Sequence, residues 1–146
     1  MQLAVRVEKA TPPSVEAIDA ACALATIALL DDERAQPGGQ WHDEVAAWNG
    51  ARIRKLVRRG RGAAWTRAQS PPGVTIEHDK AQVRAYVPGP LDAVPPELAK
   101  LQIQSTELDQ PDVVDSVPER SGLIIAVTPL VAMSWGKAGA QCAHAG

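Results

Sequence analysis

A chain of 146 residues with 45% hydrophobic residues suits one ordinary domain able to bury its own core. Its net charge of -2 gives no overall pull towards nucleic acid or an anionic membrane. Its two cysteines, Cys22 and Cys142, form neither a disulfide framework nor a metal-ligand spacing. The charge is unevenly spread. Seven of the fifteen basic residues stand at Arg52, Arg54, Lys55, Arg58, Arg59, Arg61 and Arg67, with no acid between Glu44 and Glu77. Five acids occupy Glu107–Glu119 beside Pro111 and Pro118.

In chain order, Leu3–Lys9 alternates with Leu3, Val5 and Val7 on one face, which predicts a strand. Ser14, after two prolines, has the chemistry of an N-cap for a helix from Val15 to about Arg34. Val15, Ile18, Cys22, Ala25 and Leu29 give that helix a buried stripe. The apolar run Ala20–Leu30 is too short to span a bilayer. Glu16 and Asp19 precede it, where a signal peptide carries positive charge, so no targeting segment is read. A reduced, cytoplasmic setting is expected.

Pro37–Gly39 closes this unit, and a second helix is expected over Gln40–Trp48 with Trp41, Val45 and Trp48 on one face. Arg52–Arg59 reads as a cationic strand and Gly62–Gln69 as a short helix. Gly73–His78 and Gln82–Val87 read as two strands joined by a tight turn at Asp79–Lys80. Pro88–Pro90 ends the second, and Pro95 and Pro96 mark a helix start. Residues 105–121, acidic and proline-bearing, read as a linker. The unbroken run Leu123–Val127 suits a strand covered on both faces, followed by a loop and a small-residue helix. Such an arrangement presents a site at a strand's C-terminal end. Alternation of helices and strands favours a layered α/β fold.

The last fourteen residues, MSWGKAGAQCAHAG, are the most sharply patterned. For a helix begun near Gly136, Lys137, Gln141 and His144 share one face. Ala138, Gly139, Cys142, Ala145 and Gly146 take the other, where small side chains let the helix approach a sheet closely. Unpaired N–H groups around Ser134–Lys137, the helix dipole and the Lys137 charge together favour an anion at Gly136 and Lys137. The plain alternative is a packed surface helix. Cys142 and His144 diverge by about 200° on a helix, which excludes a Cys–His dyad. His42, His78 and His144 are scattered, so no metal site and no cofactor are expected.

This terminal stretch resembles the signature of the archaeal/eukaryotic-type family of peptidyl-tRNA hydrolases. Met133, Gly136, Lys137, Ala140, Gln141, Cys142, His144 and Ala145 match it, with Leu123–Val127 as lead strand. The resemblance implies a mixed β-sheet with helices packed on both faces, a three-layer α/β/α arrangement. It implies hydrolysis of the ester between a peptide and the tRNA 3′ ribose. Lys137 would stabilise substrate phosphate or oxyanion, Gln141 would orient ester or water, and His144 would transfer protons. Peptidyl-tRNA is then the expected partner, with no membrane, and a homodimer is left open.

The stretch Gln82–Pro90, followed by Leu98–Ile103, is similar to the family's closing strand, Pro-Gly-Pro turn, helix and last strand. Residues 1–104 thus read as a worn copy of the fold, 105–121 as the linker, and 122–146 as strand and signature helix. In the family the signature stands near the N-terminus and an Asp-Ala-Gly motif with Thr follows it. Two architectures remain open: a worn domain ahead of a second one, or a permuted order in which residues 122–146 complete the sheet. On this reading Arg52, Arg54, Lys55, Arg58, Arg59 and Arg61 would meet tRNA phosphates and Trp65 would stack on a base. The alternatives are a solvated arginine-rich surface, and a non-catalytic tRNA- or ribosome-associated binding module or an inactive truncated fragment.

Overall fold

Leu3, Ala4 and Val5 are consecutive and all fully buried, so the strand that holds them, β1 (Gln2–Arg6), is covered on both faces. The computed structural model describes residues 1–51, 53–90, 92–103, 124–128 and 130–145. Beside β1 on one side lies β2 (Leu56–Gly60), parallel, with Leu3 opposite Val57. On the other side lies β4 (Ala81–Tyr86), antiparallel, with Val5 opposite Val83. Beyond it β3 (Gly73–His78) pairs antiparallel with β4. The mixed sheet runs β2-β1-β4-β3. The β3–β4 turn places Asp79 and Lys80 at positive φ, the backbone that two-residue hairpin turns require.

A parallel β1–β2 pair needs a crossover. It is supplied by α1 (Val15–Leu30) and α2 (His42–Asn49). Ser14 caps α1, its Oγ accepting from the Ala17 N–H at 3.2 Å. The expected stripe Val15, Ile18, Cys22, Ala25 and Leu29 is buried throughout and packs over Leu3, Val5, Val57 and Val83. Trp41 and Val45 join the same core. The opposite face of the sheet is covered by α3 (Gly62–Arg67) and the short α4 (Pro96–Ala99). There Ala4 and Tyr86 meet Trp65, Ala68, Leu98 and Leu101. The fold is therefore α/β, with helices on both faces.

The last helix, α5 (Trp135–Ala145), lies on the α1 side and packs against α1 and β2. Its buried stripe is Trp135, Ala138, Gly139, Cys142 and Ala143. Gly139 explains the fit: a Cβ there would stand 3.1 Å from Cys22 Sγ and 3.7 Å from Ile18 Cγ2. The expected small-residue face is thus confirmed at Ala138, Gly139 and Cys142. Ala145 is exposed instead, because the stripe runs through Ala143; Gly146 lies outside the described residues.

Other boundaries differ for identifiable reasons. The first helix stops at Leu30, not near Arg34, because Asp32 accepts from the Arg34 N–H and starts a separate 3-10 turn, Glu33–Ala35. The cationic strand begins at Leu56, not Arg52. Residues 53–55 precede the first β1 partner, since Leu56 already pairs with Gln2. Arg52 is outside the described residues, as is the expected linker 105–121. The largest difference concerns Leu123–Val127. Residues 124–128 form no strand, and Ile124 and Val127 are 66% and 46% exposed. No described residue of the sheet pairs with them; the outer edge of β2 is met instead by Gln102, bridged to Arg59.

Candidate functional site

Where α5 passes the start of β2, the two elements leave a cleft of about 520 Å³ between them. That volume is in the range of small-molecule sites. One wall is the sheet edge, with Lys55, Leu56 and Val57, extended by Ile103. The other is the first two turns of α5, with Ser134, Gly136, Lys137 and Ala140. The cleft therefore stands at the N-terminal end of β2. The expected position at a strand's C-terminal end fails because the strand it relied on is not formed.

Two lysines face this space from opposite walls, and no carboxylate lines it among the described residues. Lys137 is exposed. Lys55 is half-buried, and burial lowers its pKa from the ordinary lysine value. Its ammonium lies 5.2 Å from the centre of the Trp48 ring, in cation–π range. The Trp48 Nε1 donates to the Arg54 carbonyl at 3.3 Å, which fixes the ring beside the Lys55 stem.

Lys55 also reaches α5, its Nζ donating to His144 Nδ1 at 3.4 Å. Partial desolvation, then the Lys55 charge and the amino terminus, push the His144 pKa below its ordinary value. That shift favours the neutral ring. Because a lysine nitrogen facing it offers only N–H, Nδ1 must be the acceptor and Nε2 must carry the proton. His144 presents an Nε2–H donor, and its acceptor nitrogen is engaged. His144 was expected to transfer protons; with Nδ1 facing Lys55, the nitrogen it turns outward is the Nε2–H.

Lys137, Gln141 and His144 do share the exposed face of α5, as their spacing requires. The structure brings Lys137 and Gly136 to the cleft and joins His144 to Lys55, whereas Gln141 lies on the same face without lining it. The helix start is less open than expected. It begins at Trp135, so the N–H groups of Lys137 and Ala138 already donate to the Ser134 carbonyl at 2.8 and 3.0 Å. Anion affinity there rests on the dipole and the Lys137 charge rather than on those two donors.

The basic cluster divides. Arg54 and Arg61 are exposed; Arg59 is half-buried, its Nη2 donating to Gln102 Oε1 at 2.8 Å. Arg58 and Trp65 are removed from any surface patch, being 6% and 7% exposed. Strand alternation turns Arg58 under Leu101, whose carbonyl accepts from Nη1 at 3.3 Å. Trp65 is the one large apolar side chain of α3, so it faces the sheet and cannot stack on a base. The Cys–His dyad stays excluded: Cys142 is buried and His144 exposed.

Sequence reasoning missed the Lys55–His144 pairing, made across 89 positions, and the cleft's Ile103. It read Asp19 only as a charge ahead of the apolar run, although a carboxyl between Ile18 and Cys22 of the buried stripe is a visible signal. Among the described residues no group of three His, Cys, Asp or Glu could hold a metal, and no helix is long and apolar enough to cross a membrane. No family model, no curated protein and no solved structure matches the chain.

Proposed function

We propose that this chain is a peptidyl-tRNA hydrolase-like protein that holds the 3′ end of a tRNA in the α5 cleft and hydrolyses the ester linking it to a peptide. The observation that carries the reading is the placement of Lys55, at the start of β2, and Lys137, on the helix that bears the family-like motif, on opposite walls of one cleft. Such a pair suits a phosphate or the oxyanion formed when water attacks the ester carbonyl. His144, as an Nε2–H donor, can bond the ribose oxygen or carbonyl, and Gln141 can orient the ester or water. Exposed Arg54 and Arg61 offer further contacts to the tRNA backbone.

The test is release of an N-blocked amino acid from its tRNA by the purified chain, alongside Lys55→Ala and Lys137→Ala. The reading expects cleavage by the parent and loss of at least tenfold in either variant, in line with removal of an oxyanion or phosphate contact. Full rates in both variants would remove the cleft from the reaction.

A second reading is favoured by one feature: the described lining of the cleft contains no carboxylate or other group free to take a proton from water. It makes the chain a tRNA-binding module without cleavage. Then tRNA binds with no ester lost, and each lysine substitution lowers the salt slope of binding by about 1. Neither cleavage nor binding at low salt would reject both readings.

A further inference from the structure

Asp19 lies on the side of α1 that receives α5, between Ile18 and Cys22, and is only 9% exposed. Its Oδ1 has no hydrogen-bond partner. A Cβ on Gly139 would come within 3.5 Å of that oxygen, so the α5 backbone closes directly over the carboxyl. The polar group that meets it from α5 is the Cys142 thiol, a weak donor. On α1 its neighbours are Glu16 and Cys22, one acid and one buried thiol. No lysine, arginine or histidine among the described residues bears on it, and Lys137 and His144 occupy the opposite, exposed face of α5.

A carboxylate buried against a helix backbone, one oxygen unbonded and no cation near, is unfavourable, whereas a protonated carboxyl is far less so. We propose that Asp19 is a proton-operated latch beneath the helix that carries the cleft: protonated, it lets α5 seat on α1, and ionised, it loosens that contact. Burial first, and then the charge of Glu16, raise its pKa to about 7 against the pull of Cys142. The sign follows. With α5 docked the carboxyl holds its proton to higher pH than when α5 is released, so docking is favoured below the ordinary carboxylate range and weakens as pH rises towards 7. Because Gly136, Lys137 and Ala140 form one wall of the cleft, its assembly follows the same proton. The latch does not depend on which reaction the cleft performs.

Hydrogen exchange of the full chain, read by mass spectrometry and corrected for intrinsic rates, tests it between pH 5 and pH 8. The opening constant of peptides within 135–145 should rise roughly tenfold to a hundredfold across that range, while β1 and β4 stay protected. In Asp19→Asn that rise should vanish, and any slope left by His144, whose pKa docking lowers, runs the other way. The same rise persisting in Asp19→Asn therefore overturns the latch, as does a flat parent profile. Should Asp19→Asn not fold, Cys142→Ala decides. It removes the thiol that favours the anion, so the midpoint of the α5 profile must move to higher pH, and an unmoved midpoint overturns the proposal.

Discussion

The two faces of the sheet are made by the same four strands and are held by different forces. Under α1, α2 and α5 the strands present Leu3, Val5, Val57 and Val83, an apolar layer that excludes water. Under α3 and α4 they present a cross-strand row of Arg58, Ala4, Arg84 and Thr75, with Tyr86 beside it. No carboxylate pairs with either of these arginines among the described residues. They reach neutral acceptors instead. Arg58 Nε donates to Gln2 Oε1 at 2.6 Å, Arg84 Nη2 to the Pro71 carbonyl at 2.8 Å, and Tyr86 Oη to the Ala68 carbonyl at 3.0 Å. Burial lowers the pKa of both guanidinium groups. The contrast teaches that packing alone holds the first face, whereas on the second long side chains that tie loop carbonyls to an alanine-centred sheet add to the smaller apolar cluster of Trp65, Leu98 and Leu101.

The substitution with the largest expected effect is Leu3→Ala on the first face. Leu3 is fully buried on the central strand, so its loss should cost about 3 kcal/mol, within the range of about 2–5 kcal/mol for such truncations. Urea unfolding followed by tryptophan fluorescence reads it, and a loss below about 1 kcal/mol would break the claim that packing holds this face. On the second face Arg58→Ala should cost about 2 kcal/mol, because Gln2 Oε1 and the Leu101 carbonyl lose their donor. Arg58→Met keeps most of the buried stem. If the hydrogen bonds do the holding, Met is nearly as costly as Ala. If Met restores parental stability, the two faces do not differ in kind.

What could be read in advance follows from the same contrast. The strand at Leu3–Lys9, the stripe of α1, the Asp79–Lys80 turn and the shared face of Lys137, Gln141 and His144 are local patterns, and each appears in the structure, the strand shortened to Gln2–Arg6. Leu123–Val127 was illegible because an unbroken apolar run has no period, and only an available sheet edge could make it a strand. Arg58 and Trp65 were illegible as buried groups because alternation assigns faces, not what covers them. The Lys55–His144 contact depends on where α5 docks, and that is set by Gly139 against Cys22, a fit between helices far apart in sequence.

That fit supplies the third test. Gly139→Val places branched carbon where a single Cβ already stands 3.1 Å from Cys22 Sγ. Overpacking of this kind costs about 1–2 kcal/mol and should fall on α5 alone, since the sheet does not touch the site of the clash. Hydrogen exchange should show 135–145 opening more readily while β1 and β4 keep their protection. Equal loss in all three elements would mean that α5 belongs to the cooperative core of the first face rather than resting upon it.

The smallest expected effect separates those two pictures from the other side. Ser14→Ala removes the cap that satisfies the Ala17 N–H and should cost about 1 kcal/mol. Unlike Gly139, Ser14 acts on α1, which is both the lid of the apolar face and the platform for α5. Its loss should therefore lower global stability and α5 protection by the same amount, with no separate loosening of the last helix. If α5 opened while the unfolding midpoint in urea stayed fixed, α1 would not be the element that joins the cleft to the core. The first face would then have to be described as two independent packings, one of sheet on helix and one of helix on helix.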